Sequence, residues 1–67
     1  MFEYNNFILK VMGFLKVVSV DENKVLLLYK NKSLLINGEE LVVSNLIDNS
    51  LEISGVINEI KMEYFND

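Results

Sequence analysis

The sequence predicts an all-β protein, a small antiparallel β-sandwich of about six to seven short strands. Residues 33–38 and 50–55 repeat one pattern, in which apolar residues two positions apart run into a glycine. Turn-forming residues recur at short intervals, and Val, Ile, Leu, Tyr and Phe fill the segments between them. Because side chains two apart face the same side of a pleated strand, both repeats predict strands with an apolar face.

The turn signals divide the chain into segments of about five to nine residues, which leaves no room for a crossover helix. The predicted turns are Asp21-Glu22-Asn23, Asn31-Lys32, Asn37-Gly38-Glu39-Glu40, Asp48-Asn49-Ser50 and Asn58-Glu59. The predicted strands lie at about 7–12, 14–20, 24–30, 33–37, 40–46, 51–57 and 60–65. An alternative is a short β-solenoid, suggested by the offset between the two repeats, although two coils need stacked copies to be stable.

Residues 7–18 fit two kinds of secondary structure. The stripe of an amphipathic helix is matched by Phe7, Val11, Phe14 or Leu15, and Val18. Val17, Val18 and Val20 favour a strand, because β-branched side chains lose rotamer freedom in helices and pack well on a pleated surface. We therefore predict strands here, and a helix would change the fold class to α+β.

The run Val25-Leu26-Leu27-Leu28-Tyr29 places apolar side chains on both faces of one strand. Such a run is typical of a strand that is covered on both sides. A chain of 67 residues buries only about 60% of its unfolded surface, and this one has neither Cys nor His for disulfides or the usual zinc sites. The sequence therefore predicts a homo-oligomer.

Asn37-Gly38 is a signal for a two-residue hairpin, because both residues tolerate positive φ. Replacing Gly38 with a β-branched residue is therefore expected to reduce stability. We interpret Gly13 and Gly55 as bends too, since no two glycines are close enough to form a phosphate-binding loop.

The last part of the chain alternates most clearly. One face of the predicted strand carries Ile60, Met62 and Tyr64, and the other carries Lys61 and Glu63. An earlier set of residues also lies two positions apart, but its alternation is shifted by one residue relative to Ile60, Met62 and Tyr64. This set is Ile53, Gly55 and Ile57. A bulge or tight turn at Asn58-Glu59 would absorb the shift.

The residue set argues against an enzyme. There is no His for proton transfer near neutral pH, no Cys nucleophile and no Arg to hold an oxyanion. Glu39-Glu40 and Asp21-Glu22 are the close carboxylate pairs, and we interpret both as solvated turn residues. Asp21-Glu22-Asn23 offers too few oxygen ligands for a calcium loop. We predict no catalytic, metal-binding or cofactor-binding residues.

The charge pattern argues against nucleic acid as a partner. The chain has ten carboxylates, six lysines and a formal net charge of -4, whereas phosphate binding draws on clustered Lys and Arg. The aromatic residues are therefore interpreted as core or interface packing rather than as a platform for stacking bases. A nucleic-acid-binding small barrel remains the disfavoured alternative.

The apolar stretch near the start resembles neither a signal peptide nor a membrane anchor. Glu3 precedes it, Lys10 and Lys16 interrupt it, and no small-residue cleavage site follows. The sequence also lacks prolines and linker-like segments. We expect one β domain over residues 1–67, located in the cytoplasm and without a membrane span.

From Gly13 onward the order of features resembles the YabP/YqfC family of small sporulation proteins found in spore-forming Firmicutes. The first match is a glycine before spaced apolar residues and an acidic turn: Gly13-Phe14, Val17, Val20 and Asp21-Glu22. A strand follows at Val25 to Tyr29, and then the pattern apolar-x-apolar-x-Gly-x-x-Leu-x-apolar-x-x-Leu over residues 34–46. The closing pattern is matched by Leu51, Ile53, Gly55, Ile57, Ile60 and then Met62 or Tyr64.

The resemblance implies a non-enzymatic protein made in the mother cell during spore formation. It would act through assembly with itself or with other spore-envelope proteins, in the mother cell or at the forespore surface. The alternative is a small regulatory or binding subunit, whose apolar strand face contacts a distinct protein partner. Unpaired edge strands would be natural contacts, because their backbone N–H and C=O groups can accept another strand.

Overall fold

The fold is all-β and antiparallel, as predicted. The structure is a computed structural model that describes residues 2–5 and 7–65. In this part of the chain the strands are β1 (Phe2–Asn5), β2 (Ile8–Met12), β3 (Lys16–Val20), β4 (Lys24–Leu28), β5 (Lys32–Ile47) and β6 (Ser50–Tyr64). They form one six-stranded sheet in the order β1-β2-β6-β5-β4-β3.

Residues 7–18 contribute to β2 and β3, so the helical alternative for this segment is wrong. The predicted strands at 7–12 and 14–20 begin slightly later, at Ile8 and Lys16. Phe7 lies in the turn before β2 with a φ of 63°. The sequence prediction also missed β1. The solenoid alternative is wrong because the strand pairs are antiparallel.

Strands β5 and β6 form a long hairpin, whereas the sequence predicted a break in each. The predicted turn at 37–40 does not exist: these residues lie inside β5. Register shifts occur between Asn37 and Gly38, between Glu39 and Val42, and between Ser44 and Ile47. The first shift leaves Asn58 as the extra residue on β6, which confirms the predicted bulge at Asn58-Glu59. Because bulges bend and twist a strand, the hairpin can change direction without a loop.

The register divides the sheet into two halves. The first half-sheet contains β1, β2, residues 50–54 of β6 and residues 42–47 of β5. The second half-sheet contains β3, β4, residues 32–37 of β5 and residues 57–64 of β6. The two halves are joined through the bulged middle of the hairpin.

One hydrophobic core draws side chains from both half-sheets. Leu9, Val11, Leu51 and Ile53 come from the first, and Val25, Leu27, Leu34 and Ile36 come from the second; each is at most 1% exposed. Side chains on one face of each half can be buried this completely only if those faces pack against each other. The two separate sheets of the predicted sandwich are therefore not found: a single sheet supplies the core, and both of its halves contribute to it.

Gly38 is needed for close packing, which corrects its interpretation as a hairpin residue. A Cβ atom at this position would overlap the backbone carbonyl oxygen of Val56 and lie 2.9 Å from Leu41 Cδ2. Gly55 lies at the next register shift with a φ of 115°, and its missing Cβ makes room for the carbonyl oxygen of Glu40. Both glycines of the sequence repeat therefore permit the bends of the β5–β6 hairpin.

Hydrogen bonds fix the connection between β2 and β3 against the β5–β6 turn. The Gly13 amide donates to the carbonyl oxygen of Asn49 at 2.8 Å. The side-chain amide of Asn49 donates to the carbonyl oxygen of Phe14 at 2.7 Å. The predicted turn at Asp48-Asn49 is thus confirmed, and it also tethers the segment that links the two half-sheets.

Candidate assembly surface

The second half-sheet has an apolar outer face. Leu26 and Leu35 are direct cross-strand neighbours on β4 and β5, and they point away from the side that carries the core residues Val25, Leu34 and Ile36. Leu28 lies two residues from Leu26 on the same face. These three leucines are half-buried, and we call them the outer leucine face.

Rows of cross-strand partners show what surrounds this face. The row through Leu28 runs Lys16, Leu28, Ser33, Glu63 from β3 to β6. The row through Leu26 runs Ser19, Leu26, Leu35, Lys61. An apolar centre bordered by polar and charged side chains is the usual anatomy of a surface that binds protein.

A groove of about 390 Å³ lies on this part of the molecule. It is lined by Leu26, Ser33, Leu35, Lys61, Met62 and Glu63. Apolar side chains therefore form one part of the groove, while a hydroxyl, an ammonium and a carboxylate are available at its border. This combination suits contact with another protein surface.

The outer face of the first half-sheet mixes polar and apolar side chains, and Ile8, Val42 and Ile47 are exposed on it. Its middle row contains Lys10, Glu52 and Ser44, and Asn45 donates a side-chain hydrogen bond to Glu52 at 2.7 Å. Ile8 and Val42 lie on the same face but are separated by Ser54. The apolar side chains of this face are therefore separated by polar ones, whereas Leu26 and Leu35 are adjacent on the second half-sheet.

The acidic residues that sequence analysis considered for chemistry lie in exposed positions. Glu39 and Glu40 are exposed at the second register shift of β5. Asp21 accepts the backbone amide of Asn23 at 2.8 Å, which is the hydrogen bond of an ordinary turn. Among the described residues, no group of three His, Cys, Asp or Glu side chains is placed to hold a metal ion, and the buried residues are apolar.

The aromatic residues divide between the core and the surface. Phe14 and Tyr29 belong to the core, at 3% and 7% exposed, as the packing interpretation predicted. The large exposed aromatic side chains are Phe2, Tyr4, Phe7, Tyr64 and Phe65. Lys32 Nζ lies 5.4 Å from the centre of the Tyr29 ring and 5.3 Å from that of Tyr64. This lysine therefore makes cation–π contacts that close one end of the second half-sheet.

Tyr29 is a core residue with a polar end. Its hydroxyl donates to the carbonyl oxygen of Met12 at 3.1 Å, which joins the end of β4 to the end of β2. Burial raises the pKa of the Tyr29 phenol above its ordinary value of 10.0, because desolvation disfavours the phenolate.

We expect alkaline pH to destabilise the protein partly through Tyr29. Because the pKa of Tyr29 is higher in the folded than in the unfolded state, the protonated phenol adds to the free energy of unfolding. This contribution is complete below about pH 10 and is lost as the pH rises through the folded-state pKa. Urea unfolding at several pH values should show a steeper fall in the free energy of unfolding for the wild type than for Tyr29→Phe. Tyr64→Phe, which removes a 59% exposed phenol, is the matched control. Equal slopes for the wild type and Tyr29→Phe would contradict the expectation.

The fold and surface define a small all-β protein with an apolar outer sheet face. A family model described as the YabP family matches residues 4–65 of the 67-residue chain. The chain belongs to the YabP family, which confirms the resemblance found in the sequence. No curated protein and no solved structure matches the chain.

Family membership points to a small sporulation-related protein. The described residues include no helix that is long and apolar enough to cross a membrane. The sequence predicted that β4 carries apolar residues on both faces, but it did not show which face is the core side. It also did not identify Leu35 as a neighbour of Leu26, because that relation depends on the β4–β5 register.

Proposed function

We propose that this protein is a non-enzymatic assembly protein of sporulation, which acts by binding protein through its outer leucine face. The observation that carries the proposal is the position of Leu26, Leu28 and Leu35. The chain's own core lies on the opposite side of the same strands, so these leucines face away from it.

The physical support is the character of β4. A strand with apolar residues on both faces is typically covered on both faces, and β4 has the core on one side only. A protein partner would remove the exposed parts of the three leucines from water, at a gain of about 25 cal/mol per Å² of apolar surface before the costs of association. The acidic net charge of -4 also makes a protein partner more suitable than nucleic acid.

The cellular part of the proposal rests on family membership. We place the protein in the cytoplasm during sporulation, in the mother cell or at the forespore surface. Its partners would be spore-envelope proteins or further copies of itself. The second candidate is a small binding subunit for one distinct protein. The groove beside Leu35, with Ser33, Lys61 and Glu63 at its border, favours this candidate because it could receive a partner's side chain.

The test follows a fluorescent fusion of the protein in its own sporulating host. We expect expression to begin with sporulation and the fusion to localise at the developing spore. Leu35→Ser should abolish localisation, because it places a hydroxyl in the centre of the outer leucine face. Leu46→Ser is the matched control, since Leu46 lies on the same strand in the first half-sheet and is already 60% exposed.

Expression confined to vegetative growth, or equal localisation of both variants, would contradict the proposal. Purifying the complexes from sporulating cells separates the two candidates. A mixture of envelope proteins that is lost with Leu35→Ser supports an assembly protein. A single stoichiometric partner supports the binding subunit instead.

A further inference from the structure

Part of β6 has a strand on one side only. β2 pairs with β6 no further than Ser54, whereas β5 pairs with β6 as far as Tyr64. Within the described residues, the stretch 57–64 therefore has β5 on one side and no strand on the other. We call residues 57–64 the free β6 edge.

This edge is the most regular unpaired edge of the described sheet. From Glu59 to Tyr64, six consecutive residues pair with β5 without a register shift. β1 has only four residues, and β3 is bulged between Val17 and Ser19. The free side of β5 at residues 42–47 is interrupted at Asn45, which has a φ of 52°. Bulges protect an edge from pairing, whereas a straight run of unpaired backbone groups favours it.

The free β6 edge is also incompletely covered on its inner face. Ile60 and Met62 pack against the core but are only half-buried, and Tyr64 is 59% exposed. On the outer face, Lys61 and Glu63 are exposed. An additional strand beside β6 would cover the apolar residues and bring its own charges close to Lys61 and Glu63.

The order of these residues is complementary to itself when reversed. If two copies of the edge pair antiparallel around Met62, Met62 meets Met62 of the second copy. Ile60 then meets the second copy's Tyr64, and Lys61 meets its Glu63. Because of the two-fold symmetry, the Ile60–Tyr64 pair and the Lys61–Glu63 pair each occur twice. Every apolar residue of the set therefore faces an apolar one, and every charge faces its opposite.

Other registers of the same two edges are less favourable. Pairing around Lys61 places Lys61 against itself and Glu59 against Glu63, which are like charges directly opposite. Pairing around Ile60 brings Met62 against Asn58, the residue of the bulge. A shift that breaks the alternation of the pleat would put apolar side chains opposite charged ones. Charge and apolar pattern together therefore select the register around Met62.

We propose that the free β6 edge binds a second copy of this chain by antiparallel β6–β6 pairing centred on Met62, which joins the two sheets into one. The proposal rests on the association function above and specifies one partner for it. Because directly paired residues share a face, the outer leucine faces of both copies lie on the same side of the joined sheet. The dimer thus presents that face twice to its further partners, which increases binding by avidity.

Charge reversal tests the pairing in solution. Light scattering coupled to size-exclusion chromatography should show a dimer for the wild type. Lys61→Glu and Glu63→Lys should each raise the dimer dissociation constant by about tenfold or more, because each places like charges opposite each other twice. An equimolar mixture of the two variants should recover a heterodimer, and the double variant Lys61→Glu/Glu63→Lys should recover the homodimer.

Lys16→Glu is the matched control for the change in net charge, because Lys16 is exposed on β3 at the other end of the strand order. Circular dichroism establishes that each variant is folded. A wild type that stays monomeric over the accessible concentration range would overturn the proposal. The same conclusion would follow if the charge variants dimerise like the wild type, or if mixing them recovers no heterodimer.

A single cysteine tests the register, since the chain has no cysteine of its own. Met62→Cys should form a covalent homodimer under mild oxidation, because Cα atoms of directly opposite antiparallel residues lie about 4.5–5.5 Å apart, within disulfide reach. Ser19→Cys on β3 should not. A dimer that cross-links through Ser19→Cys but not through Met62→Cys would overturn the β6 assignment. None of these outcomes decides the association function, which is tested independently by the localisation of Leu35→Ser.

Discussion

Gly38→Val should destabilise the protein more than a substitution at Gly13. The valine Cβ would overlap the carbonyl oxygen of Val56 on the paired strand and crowd the side chain of Leu41. The neighbouring backbone cannot move away freely, because the Gly38 amide donates to the carbonyl oxygen of Asn23 at 2.9 Å. The Asn23 side-chain amide also donates to the Gly38 carbonyl oxygen at 3.1 Å. We expect a loss of about 3 kcal/mol or more, against a total stability of about 3–10 kcal/mol for a chain of this size.

Thermal unfolding followed by circular dichroism measures this effect, with Gly13→Ala as the control. Gly13 has a φ of 84°, but a Cβ atom there would meet only Tyr29 Cε2 at 3.8 Å. The control should therefore cost about 1–2 kcal/mol through backbone strain alone. For domains of about this size, 1 kcal/mol lowers Tm by about 4–8 °C. A Tm for Gly38→Val equal to or above that of Gly13→Ala would show that the β5–β6 hairpin tolerates a side chain at its bend.

Leu34→Ala and Leu35→Ala should have very different effects, although the two residues are adjacent. Leu34 is fully buried, with Leu27 and Met62 as cross-strand neighbours. Truncating it removes buried methyl groups and leaves a cavity, so we expect a loss of about 2–5 kcal/mol. Leu35 lies on the outer leucine face and is half-buried, so its truncation should cost about 1 kcal/mol or less.

Urea unfolding of both variants gives the comparison directly. Similar losses of stability for the two variants would mean that Leu35 is also part of a core, and the assignment of an outer face would fail. The comparison should be made at low protein concentration, because association stabilises the folded state by mass action.

Several features of the fold were predictable because they depend on local pattern. Leu34 and Ile36 were predicted to share a face, as were Leu51 and Ile53, and all four lie in the core. The turn at Asp21-Glu22-Asn23 joins β3 to β4, as expected from its composition. The bulge at Asn58 was predicted from the shift in apolar phase. Each of these depends on the two-residue period of a strand or on side chains that bond their own backbone.

The candidate surface was predictable only in part. The apolar run of β4 predicted a strand covered on both faces, but it did not show that Leu26 and Leu28 form the face turned away from the core. The alternation of Ile60, Met62 and Tyr64 with Lys61 and Glu63 was also visible. That these residues lie on an unpaired edge was not visible, because the neighbours of a strand are set by pairings distant in sequence.

Asn37-Gly38 shows most clearly where local reasoning fails. The dipeptide favours a hairpin turn, yet it lies within β5 because pairing with β6 continues across it. Two effects outweigh the local preference for a turn. The backbone pairs with β6 along the hairpin, and buried residues lie both before the dipeptide (Leu34 and Ile36) and after it (Leu41). Glycine is needed at position 38 because the β6 backbone at Val56 lies too close for a side chain.

By itself, the sequence determined an all-β chain, the inward face of its main strands, most of its turns and its membership of the YabP family. Only the tertiary structure decided that both halves of one bulged sheet share a core, and that residues 57–64 have no strand on one side within the described part of the chain. The reason is physical. The two-residue alternation of a strand depends on residues that are close in sequence. The order of strands in the sheet depends on which apolar faces, far apart in sequence, can be buried together.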